Sequence, residues 1–142
     1  MKSLTLSSLA FAVGLAFSAG AIAGGMSGHD FKAGKHRIAA EYKLAKSKCA
    51  ALSGNPNDLC EVEAKGRERV ELADLEAAYK PTREHRYDAR IARAEAAYAV
   101  AKEKCDDTAG NAKDICQKQA KAALVAARAD AKSVLKAGDA QA

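Results

Sequence analysis

The sequence predicts an all-α fold of two tandem, disulfide-stapled antiparallel helical hairpins, four helices in all, elongated or loosely bundled. Three observations predict it. First, Tyr42-Lys-Leu-Ala-Lys-Ser-Lys-Cys49 returns 56 residues later as Tyr98-Ala-Val-Ala-Lys-Glu-Lys-Cys105, and Gly54-Asn55, Asp58, Leu59 and Cys60 return as Gly110-Asn111, Asp114, Ile115 and Cys116. Second, all four cysteines belong to this repeat, one pair in each copy. Third, the chain is dominated by Ala, Lys, Glu and Arg, which are strong helix formers. Its apolar residues recur at spacings of three and four, the period of one helix face.

Residues 1–23 read as an export signal rather than as structure. Lys2 supplies a short positive start. The apolar stretch from Leu4 to Phe17 is too short, and too rich in Ala, Ser and Gly, for a membrane span. Ala21-Ile22-Ala23 is a small-x-small cleavage site, so the mature chain is expected to begin at Gly24. No Cys follows to carry a lipid, and no other run approaches membrane-spanning length. The expected location is the periplasm or the medium. The mature chain divides into a first hairpin repeat, 24–80, and a second, 81–142.

The first helix is expected over about 31–52, with Gly34 delaying its start. Its apolar stripe is Ile38, Tyr42, Ala45, Cys49 and Leu52. Ser53-Gly54-Asn55-Pro56 should end it: Gly54 suits a left-handed position and Pro56 cannot continue the ladder. Asn57 can cap the second helix, expected over 58–79, and Gly66 interrupts that helix at a cost of about 1 kcal/mol relative to Ala. Lys80 precedes Pro81 and is pushed out of the helical region. Thr82 then caps the third helix, whose stripe is Tyr87, Ile91, Ala94, Tyr98, Ala101 and Cys105 and which reaches about Thr108. Gly110-Asn111 turns the chain into a fourth helix over about 112–135. Lys80-Pro81-Thr82 either folds the hairpins into a four-helix bundle or leaves the second and third helices as one kinked rod.

Large apolar residues are scarce and Ala is abundant, so the helices approach closely but bury little area. Staples are expected to compensate. Each cysteine motif is Cys, ten residues, Cys, with the Gly-Asn turn between, so the two thiols sit on opposite arms near the closed end. The expected disulfides are Cys49–Cys60 and Cys105–Cys116. Either other pairing needs the hairpins tip to tip. The spacing is not Cys-x-x-Cys, which argues against a redox pair, and it lacks close zinc-ligand spacing.

Net charge after removal of Lys2 is +4, from 22 basic and 18 acidic residues. Glu61/Lys65, Glu63/Arg67 and Asp114/Lys118 have the acid-first, i,i+4 spacing of helix-supporting ion pairs. Arg83, Arg86, Arg90 and Arg93 are spaced 3, 4, 3 and form a stripe along one side of the third helix. The first repeat has no such stripe. It either pairs with Glu68, Glu71 and Asp74 of the second helix or contacts an anionic partner. Nucleic acid is not expected as that partner, because the charge is modest, stacking aromatics are lacking and the chain carries an export signal. His29, His36 and His85 read as surface residues, with a weak copper or nickel site through His29 and His36 as the alternative. No catalytic constellation, cofactor motif or metal-ligand set is expected.

The Ala/Lys/Glu-rich helices, such as Ala94-Glu-Ala-Ala-Tyr-Ala-Val-Ala-Lys102 and Lys118-Gln-Ala-Lys-Ala-Ala-Leu-Val-Ala-Ala-Arg128, resemble those of small exported proteobacterial proteins labelled TolA-like. The chain departs from TolA itself, which has a retained anchor, a long helical middle domain and a folded C-terminal domain. The expected function is a non-enzymatic exported protein that binds or spaces cell-envelope components, its partner an envelope protein or an anionic envelope surface. The alternative is a periplasmic stress-type holdase chaperone.

Overall fold

A computed structural model describes residues 25–139. The expected leader, 1–23, and its cleavage site lie outside the described residues. The elements are α1 (Gly28–Cys49), α2 (Asn55–Tyr79), α3 (Arg83–Lys104) and α4 (Gly110–Asp139), with a single 3-10 turn, Cys105–Asp107, after α3. Among the described residues there is no strand.

Local chemistry sets the helix ends. Ser27 caps α1, its Oγ accepting the Asp30 N–H at 3.1 Å. The helix therefore starts at Gly28, and Gly34 lies inside it rather than delaying it. It stops at Cys49, so Leu52 is in the turn, 46 % exposed, and not on the buried stripe. Asn57, expected as the cap of the second helix, instead donates from Nδ2 to the Cys49 carbonyl at 2.7 Å and closes the end of α1. Pro56 falls in the first turn of α2, where its missing N–H breaks no ladder bond. Gly54 and Gly110 turn the chain at φ +62° and +56°, which L side chains rarely adopt. Lys80 leaves the helical region at φ −125°, ψ 89°, and the Thr82 hydroxyl accepts the His85 N–H at 3.2 Å, both as expected.

Both expected disulfides are present, Cys49–Cys60 with Cα atoms 5.4 Å apart and Cys105–Cys116 with 5.7 Å. No described cysteine is free.

Helices pack only in chain order: α1 on α2, α2 on α3, α3 on α4. Among the described residues α1 and α4 share no extended interface. The result is neither a kinked rod nor a closed bundle but a single layer of antiparallel helices. Both stapled turns lie at one end, where the Asn55 side-chain amide donates to the Asp107 carboxylate and ties the two tips together. At the other end Phe31 stacks on Tyr79, centroids 4.4 Å apart.

The two sides of α3 explain the layer. The side bearing Tyr87, Ile91, Tyr98 and Cys105 faces α4, fixed by the Cys105–Cys116 bond and by Lys121 Nζ 5.6 Å from the Tyr98 ring centre. The other side bears Ala89, Ala92 and Ala96. Ala89 and Ala92 are buried. A Cβ on Gly66 of α2 would lie 3.1 Å from the Ala96 Cβ, so these small residues let α2 and α3 approach closely. Gly66 does not interrupt α2, which runs unbroken through it. This α2/α3 seam is the most extensive helix pair in the molecule.

Candidate functional site

Because α3 lies between α2 and α4, it shows one face on each side of the layer, and its charges are sorted between them. Arg86, Arg90 and Arg93 point into an open groove of about 650 Å³ whose floor includes Ala89 and Ala94 and whose rims carry Asp74 of α2 and Asp130 of α4. A smaller groove, about 260 Å³, continues along α3 to Arg83 and Tyr87, beside Val134 and Leu135 of α4. The spacing read from the sequence thus brings all four arginines to one side of the layer.

Their partners differ. Arg93 forms an ion pair with Asp74. Arg90 lies 3.7 Å from Asp130, with both side chains about half exposed or more, 48 % and 69 %. Arg86 donates to the Pro81 carbonyl at 2.5 Å, a neutral acceptor, so it holds the turn and keeps its positive charge. Arg83 is half-buried. Of the three acids expected to pair with the stripe, Asp74 does so; Glu71 instead lies 4.0 Å from Arg37 of α1. The flanking role of Asp130 has no counterpart in that expectation, because a side-by-side α4 is not visible in a one-helix spacing.

The opposite face inverts the pattern. Glu95 of α3 accepts from Arg69 of α2 at 2.5 Å and from Arg128 of α4 at 2.7 Å. The guanidiniums of Arg128 and then Arg69 hold its carboxyl below the usual carboxylate range. One face therefore has cations on the middle helix and acids on its flanks, and the other has the reverse. Such pairs are partly exposed and each adds at most about 1 kcal/mol, but together they brace the layer from both sides. No ion pair joins Glu61 to Lys65, Glu63 to Arg67 or Asp114 to Lys118 among the described residues; Arg37 and Glu41, 2.8 Å apart, are a helix pair with the opposite order.

The remaining candidates sit apart from this groove. His29 is 92 % exposed and 3.8 Å from Asp30, and His36 is exposed. Asp30 has its pKa lowered, chiefly by the Ser27 hydroxyl. Among the described residues no group of three His, Cys, Asp or Glu could hold a metal ion.

The two disulfides suit an oxidising compartment outside the cytoplasm. No helix among the described residues is long and apolar enough to cross a membrane. Comparison with family models, with curated proteins and with solved structures gives no match.

Proposed function

We propose that the chain is a non-enzymatic protein of the periplasm or medium that binds or spaces cell-envelope components, and that its arginine-lined groove takes an anionic partner. The observation that carries this reading is the groove itself, three arginines against two aspartates, with Arg86 held by a neutral carbonyl and Arg90 only loosely by Asp130. Arg93 is already neutralised by Asp74 and acts mainly in the fold. The working pair is Arg86 and Arg90. The leader read at 1–23 and the resemblance to exported TolA-like proteins support the location. Flotation of the disulfide-intact mature chain with anionic and neutral vesicles or cell-wall fragments at low salt tests it. Binding to anionic surfaces that fades with salt supports the reading, since exposed charges are screened over about 10 Å at 0.1 M salt. Indifference to anionic surfaces at low salt refutes it.

A second reading has its own support. Leu44, Leu52, Ile115, Val125 and Val134 are exposed by 45–58 %. Apolar surface of this kind suits a holdase that shields unfolding clients. Failure to suppress aggregation of a model client at stoichiometric protein removes that reading.

A further inference from the structure

The internal repeat has a consequence at the edges of the layer. The α2/α3 seam joins the outer side of the first hairpin to the outer side of the second. Shifted by 56 residues, the α2 side of that seam becomes the outer side of α4, and the α3 side becomes the outer side of α1. The same repeat positions that are packed in the middle are therefore bare at the two ends. Ala89 and Ala96 of α3 correspond to Ala33 and Ala40 of α1, both exposed; Gly66 and Ala73 of α2 correspond to Ala122 and Ala129 of α4, both exposed. Two of the exposed large apolar residues sit at seam positions: Leu44, equivalent to Val100, which lines the seam beside Gly66 and Ala96, and Val125, equivalent to Arg69, which pairs across it with Glu95.

The charges follow the same rule. The Asp74–Arg93 pair that crosses the seam corresponds to Asp130 and Arg37, 69 % and 60 % exposed, each with an acid–base neighbour in its own copy: Arg90 lies 3.7 Å from Asp130, and Glu41 2.8 Å and Glu71 4.0 Å from Arg37. The other seam pair, Arg69–Glu95, corresponds to Val125 and Ala39. Both equivalent positions are apolar, so neither leaves an unmatched charge there if the edges meet.

We propose that a second copy of this chain docks head to tail, its α1 against α4 of the first, reproducing the α2/α3 seam and extending the layer one hairpin at a time. In the docked pair Arg37 of one copy faces Asp130 of the other, and Val125 packs against Ala39. The contact is heterologous, so it repeats into rings or open filaments rather than stopping at a symmetric dimer. It is looser than the internal seam. Ala122 stands where Gly66 sits, and a Cβ at Gly66 would already be only 3.1 Å from Ala96; His36 stands where Ala92 is buried. The association is accordingly reversible and concentration-dependent. It shares Asp130 with the rim of the arginine groove but needs no anionic partner.

The test uses the disulfide-intact mature chain in sedimentation velocity and light scattering over a wide concentration range. Val125→Arg alone and Ala39→Glu alone each place an unmatched charge at the junction and should weaken self-association about fivefold. Mixing the two variants recreates the Arg69–Glu95 pairing at the junction and should restore association. Ala122→Arg blocks close approach and should leave a monomer. All three positions are exposed in the single chain, so circular dichroism should show unchanged helicity. A wild type that stays monomeric up to about millimolar protein overturns the proposal. Association that mixing the charge variants does not restore overturns it too, because the edges then do not face each other. Arg86→Gln, which leaves Asp130 and its Arg90 neighbour untouched, should leave self-association unchanged while weakening anion binding, which separates the two results.

Discussion

Within each hairpin a cystine crosses from helix to helix, and bulky side chains such as Ile38 and Leu124 are buried. At the seam between the hairpins no covalent bond crosses, and the contact is made by Gly66, Ala89, Ala92 and Ala96 with ion pairs on either face. Yet the seam is the more extensive contact. The difference shows two ways of holding an alanine-rich chain together. A hairpin with a thin core limits its unfolded state with a short covalent loop. The seam has no such constraint and relies on backbone proximity, which small residues permit over the length of two helices.

Breaking the staples should have the largest effect. Each disulfide closes a loop with a sequence separation of 11, which in the chain-entropy model stabilises by about 3 kcal/mol. Reduction should therefore lower the thermal midpoint of the helical circular dichroism signal clearly. An unchanged midpoint would mean that packing alone carries the hairpins.

Filling the seam should come next. Gly66→Leu puts a side chain where even a Cβ is 3.1 Å from Ala96, and overpacking of this kind costs about 1–3 kcal/mol. Denaturant unfolding should show that loss, and limited proteolysis should open the Lys80-Pro81-Thr82 turn as α2 and α3 part. A substitution with no cost would show the seam to be loose.

The hairpins were legible in the sequence and the seam was not, for a physical reason. The Ile38–Tyr42–Cys49 and Tyr87–Ile91–Tyr98 stripes contrast with their surroundings, and the cysteines flank a Gly-Asn turn, so pairing and fold class follow. Ala89, Ala92 and Ala96 carry no such contrast, because Ala is equally at home on an exposed helix face. Gly66 looked like a helix defect when its purpose was approach. The ends of α1 were missed because Ser27 and Asn57 act through side-chain hydrogen bonds whose partners a linear pattern does not choose between. At the arginine groove, the spacing gave the row but not Asp130 on the far rim.

Acid should weaken the seam more gently. Glu95 is held by Arg128 and Arg69, and its folded pKa lies below the unfolded value. The stability it contributes is fully present above the ordinary carboxylate pKa and is lost as pH falls through the depressed folded value. Glu95→Gln should remove about 1 kcal/mol or less at neutral pH and flatten this part of the acid dependence. A pH profile identical to wild type would show that the clasp does not contribute.

The smallest structural effect, and the most informative about function, concerns the arginines of the opposite face. Arg93 crosses the seam to Asp74, whereas Arg86 and Arg90 meet a neutral carbonyl and a carboxylate 3.7 Å away. Arg93→Gln with Asp74→Asn removes the pair without changing the net charge, so it should lower stability slightly, by about 0.5 kcal/mol, and leave anionic-vesicle binding nearly intact. Arg86→Gln with Arg90→Gln should do the opposite: a small change in melting and a large loss of binding, each surface charge being worth about 1 kcal/mol near an anionic membrane. Two cations removed together then cost roughly thirtyfold in affinity at low salt. If this charge-neutral replacement of Arg93 and Asp74 weakens binding as much as the loss of Arg86 and Arg90, the row acts as one undivided patch and its division between seam and groove is wrong.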